Sequence, residues 1–203
     1  RFYRGWWQNV PSEYRKYITI DGKRTNEYDY SQLNPHMVYF LREKELGSED
    51  AYDRVFDGEH RDLVKQAFNA MIQSSTPLLQ EPEDIDLSEV GFDWPYLRQA
   101  VLDAHKPIAD MFFQGHGNHL QYIDSVMAED IMLKFVKSDF APVLPVHDSF
   151  IMHYAYGELG ELEEDMRRAF HGHFKKDIKV KEEIGVMLPS SFDGIDSDEL
   201  SAE

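Results

Sequence analysis

Cysteine is missing altogether from the 203 residues, which excludes a disulfide framework and any thiolate-held metal. A reducing, cytoplasmic setting fits that absence. Also missing is any apolar run of the roughly 20 residues needed to cross a bilayer, and the N-terminus lacks the charged, apolar, then small order of a secretory signal. No membrane partner is expected. Basic residues are scarce: 21 Lys and Arg stand against 38 Asp and Glu, a net charge of −17. That balance opposes a polyanionic partner in general. There is no internal repeat. The chain opens on Arg1 rather than Met, from which we expect a fragment or a processed product.

What is present reads as one folded unit. Hydrophobic residues make up 42% and charged residues 29%, close to the globular average. The charge is uneven. Residues 1–42 hold seven basic groups, among them Arg1, Arg4 and Arg15, against four acids, a local surplus of about +3. After Lys181 come seven acids and no Lys or Arg. We therefore expect 181–203 to be an acidic, disordered tail. Ser74–Leu87, rich in Pro and acids, reads as a linker.

The elements alternate irregularly. Tyr17–Ile20 and Glu27–Tyr30 predict strands joined at Asp21-Gly22. Pro35–Leu46, Asp50–Ile72 (broken near Gly58), Tyr96–Phe113, Leu120–Val136 and Glu158–Phe174 predict helices, and Val143–Val146 and Phe150–His153 predict strands around a His147-Asp148 turn. Strands mixed with helices without a βαβ rhythm predict an α+β fold. The Met127, Ile131, Phe135 stripe predicts core.

Two carboxylates stand out. Asp29 lies between Tyr28 and Tyr30 where one predicted strand ends, and Asp148 sits in LPVHDSFIM, apolar on both flanks. Burying such a group is costly unless it is paired or bound to a cation. Two carboxylates meeting at a sheet edge would suit Mg²⁺, with Mn²⁺ as a substitute. Two ions roughly 3.5–4 Å apart would serve an in-line displacement at phosphorus. Between them in sequence, Arg61 and Lys65 lie four apart on one helical face, with Asn69 and Gln73 continuing it. Arg offers a fork and Lys a point charge to phosphate.

Asp29-Tyr30-Ser31-Gln32-Leu33 resembles motif A of the family A DNA polymerases, the group of bacterial DNA polymerase I. Arg61-x-x-x-Lys65 resembles the start of motif B, and Val146-His147-Asp148 resembles motif C. Gln8-Asn9-Val10-Pro11 with Arg15 is similar to a segment that precedes motif A there, Arg1 falls near an upstream arginine, and Leu120-Gln121 resembles a helix touching the primer–template minor groove. The ordered set spans roughly residues 1–155. The resemblance implies a palm over residues 1–180 with a reduced fingers insertion at approximately 43–115. It implies Asp29, Asp148 and the Tyr30 carbonyl as metal ligands for two Mg²⁺ ions. Arg61, Lys65, Asn34 and Gln73 would meet the nucleoside triphosphate. Arg1, Gln8, Asn9, Arg15, Gln121 and His147 would lie along a DNA primer–template, RNA being the alternative. Upstream domains or replication partners are implied too.

The chain departs from that pattern at three places. Asn34 stands where the family has Glu, Gln73-Ser74 where motif B reaches Tyr-Gly, and Ser149-Phe150 where motif C continues with Glu. His-Asp-Ser-Phe is similar instead to the single-subunit phage and mitochondrial RNA polymerases. DNA synthesis is the first expectation; RNA synthesis or priming, a catalytically inactive nucleic-acid-binding protein, and a metal-dependent nuclease using Asp124 or Asp130 are the alternatives. His116-x-x-His119, His171-x-His173, Gly115-x-Gly117 and the Phe2, Tyr3, Trp6, Trp7 cluster read as loop, surface and packing features.

Overall fold

Strand β2 (Lys23–Tyr30) organises the chain, because three other strands pair with it antiparallel. The computed structural model describes residues 4–138, 141–155 and 160–187. β1 (Thr19–Ile20) joins β2 through Asp21-Gly22, both at positive φ (52° and 68°), the backbone twist that a two-residue hairpin requires. β3 (Val143–Val146) and β4 (Ser149–His153) form a second hairpin whose β4 lies beside β2. β5 (Val180–Ile184) also pairs with β2. The fold is α+β: a small antiparallel sheet with helices.

Alternation along the strands gives the sheet two unlike faces. Tyr28, Tyr30, Phe150, Met152 and Val180 point into the main core. Helices α5 (Gly117–Ser138) and α6 (Glu161–Phe174) back that side. Met127, Ile131 and Phe135 recur every four residues on α5 and are buried, as the sequence predicts. Leu162, Met166 and Phe170 do the same on α6. The Tyr30 ring lies 6.2 Å from that of Phe170, and its hydroxyl donates to the Met166 carbonyl at 2.6 Å. The other face carries Glu27, Asp29, Ser149 and Lys181. Lower on that face, Ile18, Val146 and Ile151 pack beneath Trp7 and Val10 of the N-terminal segment.

Residues 43–115 do not form a core of their own. Leu46, Tyr52, Phe68, Trp94 and Leu97 belong to the same apolar cluster as Tyr30 and Phe150. Helix α2 (Leu33–Leu41) is shorter than the pattern predicts, ending before Glu43 turns to φ 55°. Residues 51–60 are turns rather than helix, since Phe56, Asp57, Gly58 and His60 all take positive φ, which an L-residue helix does not tolerate. Helix α3 (Arg61–Gln73) starts where the sequence is clearest. Helix α4 (Trp94–Ala104) is capped by Asp93, whose carboxylate accepts from the Tyr96 N–H at 3.0 Å. It stops short of Pro107 and gives way to a 3₁₀ turn, Lys106–Met111, rather than running on to Phe113.

The expected tail boundary also moves. Residues 181–184 are strand, not tail, because their backbone pairs with Asn26–Asp29. Gly185 closes β5: its N–H donates to the Thr25 carbonyl at 2.9 Å, and a Cβ there would stand 1.9 Å from that oxygen. Residues 188–203 lie outside the described residues. Among the described residues no helix is long and apolar enough to cross a membrane.

Candidate active site

Backbone pairing brings the two aspartates together. Asp29 on β2 stands directly opposite Ser149 on β4, one residue after Asp148. The Tyr30 N–H then donates to the Asp148 carbonyl at 3.4 Å. Asp148 follows His147, which turns the β3–β4 hairpin at φ 53°, the positive φ that a two-residue hairpin turn uses and that His adopts more readily than most residues. Asp29 and Asp148 both line a cleft of about 490 Å³ with Lys65, Lys181 and Glu27. An adjoining polar pocket of about 170 Å³ is shared by the same two aspartates with Asn34, Asn69, Arg61 and Tyr52.

The electrostatics of the cleft are unbalanced. Burial, followed by the Asp148 and Glu27 carboxylates, pushes the Asp29 carboxyl from its ordinary 3.8 up to about 7, while Lys181 and Lys65 pull the other way. A partly buried carboxylate among like charges is stabilised by a hard cation. Mg²⁺ ordinarily takes one or two protein carboxylates and completes its shell with water and substrate phosphate. The donor set of Asp29, Asp148 and a main-chain carbonyl therefore fits it. Among the described residues no group of three or more His, Asp or Glu is gathered for a metal, so a closed protein cage is not what this site offers. The Tyr30 side chain is excluded as a ligand, being buried on the opposite face.

The helix expected to meet phosphate is only partly free to do so. The Arg61 guanidinium pairs with Asp50 at 2.7 Å and Asp53 at 3.5 Å and lies 5.2 Å over the Tyr52 ring. Lys65, one turn on, faces the cleft. Asn34 donates from Nδ2 to Asn69 Oδ1 at 3.0 Å, tying α2 to α3 beside the aspartates. Gln73 does not join them. It lies twelve residues beyond Arg61, about 18 Å along the helix axis at 1.5 Å per residue, exposed and next to Gly117.

Of the residues expected along a duplex, Arg15 and His147 line the cleft. Arg15 is paired with Glu27 at 3.0 Å. Gln8 is structural, since its Nε2 and the Trp7 indole N–H both donate to the Pro145 carbonyl at 3.0 Å, bolting the N-terminal segment to β3. Asn9 is exposed beside it. Gln121, half-buried on α5, is not among the residues lining the cleft or the adjoining pocket. Arg1 lies outside the described residues.

Two cleft residues escape the sequence reading. Glu27 lies two positions before Asp29 in an alternating strand, so period two alone puts it on the same face; its carboxylate also accepts from the Ser149 hydroxyl at 2.6 Å. Lys181 stands opposite Asp29 through the β2–β5 pairing, and no local pattern announces that pairing. His116, His119, His171 and His173 gather into no metal cluster among the described residues. Comparison with protein-family models and with curated proteins returns no match for this chain.

Proposed function

We propose that the chain is a template-directed nucleotidyltransferase of the DNA polymerase kind, with a palm-like sheet and an active site centred on Asp29 and Asp148. The observation that carries the reading is the meeting of these carboxylates, one from strand β2 and one from the turn before its partner strand β4, in one cleft with Lys65. A pair of acids at a strand end and a hairpin turn, faced by a cationic helix, suits transfer to and from phosphate oxygens.

In this reading Asp29 and Asp148 would hold Mg²⁺ together with the Tyr30 carbonyl. When bound, Mg²⁺ supplies charge neutralisation and lowers the pKa of the attacking hydroxyl. The primer 3′-hydroxyl gives up its proton to solvent, its oxygen forms a bond to the α-phosphorus, the bond from that phosphorus to the α–β bridging oxygen breaks, and pyrophosphate leaves. Lys65 offers its ammonium to the phosphate oxygens. Arg61 does the same once it exchanges Asp50 for phosphate, a swap between two acceptors of one guanidinium. Asn34 and Asn69 present amides beside the sugar. Arg15 and His147 lie where the duplex end would rest.

Primer extension on a labelled primer–template at low salt tests the reading, with Mg²⁺ or Mn²⁺ and with dNTPs and NTPs in separate reactions. Templated products that vanish in Asp29→Ala and Asp148→Ala support it and identify the sugar used. Metal-dependent shortening of the primer without nucleotides would replace it with a nuclease.

A further inference from the structure

Among the described residues, two lysines at the cleft are uncommitted cations. Arg15 is paired with Glu27 and Arg61 with Asp50, whereas the side-chain ammonium groups of Lys65 and Lys181 form no ion pair or hydrogen bond with any described residue. Both line the cleft and the adjoining pocket together with Asp29 and Asp148. They arrive from different elements, Lys65 from α3 and Lys181 from β5. Lys181 is opposite Asp29 in the ladder, so their Cβ atoms share a face about 4.5–5.5 Å apart. By contrast, the Lys and Arg side chains lining the cavity between α5 and α6 are committed, because Lys134 and Arg168 both pair with Asp165.

We propose that Lys181 is a further substrate-binding residue: its ammonium receives the phosphate chain of the incoming nucleotide alongside Lys65 and, before the nucleotide arrives, occupies the field of Asp29 in competition with a divalent cation. The proposal rests on the reading of Asp29 and Asp148 as metal ligands. It follows from placing a mobile monocation beside a carboxylate without a fixed contact. Such a group opposes a second cation at the same carboxylate, and a polyanion draws it away. Lys65 and Lys181 then hold the phosphates as two point charges from two walls.

The test uses the whole 203-residue chain and two probes: Mn²⁺ alone, followed by the paramagnetic resonance of the free ion, and inorganic triphosphate in EDTA, followed by calorimetry. Lys181→Met should bind triphosphate about three- to tenfold more weakly and Mn²⁺ about two- to fivefold more tightly, the size expected of one solvent-exposed charge. Lys181→Arg, which restores the charge, should return both constants towards the parent. The inference is overturned if Lys181→Met leaves both constants within about twofold of the parent, or if Lys181→Arg behaves like Met. Mn²⁺ binding to the parent that no Lys181 substitution alters removes this inference and leaves the metal-ligand reading standing. Failure of the parent to bind Mn²⁺ removes both.

Discussion

The Tyr30 amide donates to the Asp148 carbonyl at 3.4 Å, so the two aspartates are registered by main chain rather than by contact between their carboxylates. The same residue anchors the sheet on its other face, where the Tyr30 hydroxyl meets Met166. Positions in the cleft thus depend on packing behind it. Tyr30→Phe, which deletes only the hydroxyl and leaves the Met166 carbonyl without that donor, should cost about 1–2 kcal/mol in denaturant unfolding. Phe170→Ala, which empties a fully buried site beside the ring, should cost about 3–5 kcal/mol.

Asp29 should cost the metal-free protein stability. Its carboxyl is raised in the fold to about 7 from 3.8, so the native state holds a proton that the unfolded chain releases. This contribution is fully favourable below about 4 and is lost as pH rises through 7. Asp29→Asn should therefore stabilise the metal-free chain at pH 8 by about 1–2 kcal/mol, a figure reduced for partial solvent screening. At pH 4 the gain should vanish. Thermal melts of both proteins in EDTA at the two pH values measure it.

His105 works in the opposite sense. It is fully buried, its ring nitrogen Nδ1 lies 2.9 Å from the Tyr39 hydroxyl, and burial lowers its pKa from 6.5 to about 4. The unfolded chain takes up this proton first, so the contribution is present above 6.5 and disappears as pH falls to 4, about 3 kcal/mol in all. Because the Asp29 and His105 effects run against each other between pH 4 and 7, the parent should show a shallow profile. His105→Gln should remove the acid-side loss and leave stability rising on acidification.

Arg61 is held by Asp50 and Asp53. If it must leave them to reach phosphate, Asp50→Asn with Asp53→Asn should lower KM for the nucleotide by about two- to fivefold, and Arg61→Ala should raise it. Steady-state extension rates against nucleotide concentration distinguish these from a purely structural pairing, for which both substitutions would leave KM unchanged.

Local pattern is enough for the second hairpin, the α5 stripe and Asp148, because each announces itself by period or by a polar residue inside an apolar run; Asp29 stands out through its likeness to motif A. Asp21-Gly22 likewise declares the first turn. The turns over residues 51–60 are hidden: their composition is helical, but four residues there adopt positive φ under tertiary packing. β5 is hidden for another reason. Its acids read as tail, and only pairing with β2, some 150 residues away in sequence, makes VKEEI a strand. Lys181 is lost with it. Gln73 fails on distance, since a shared helical face does not bring residues three turns apart to one ligand.

Whether Asp29 and Asp148 act as one site is tested most directly by a double-mutant cycle on single-turnover primer extension with Asp29→Ala, Asp148→Ala and the double variant. One shared site predicts that either single substitution lowers the rate by at least about 10³-fold and that the double is scarcely worse than either. Losses that multiply across the two positions, or extension that survives either substitution, would contradict a shared site.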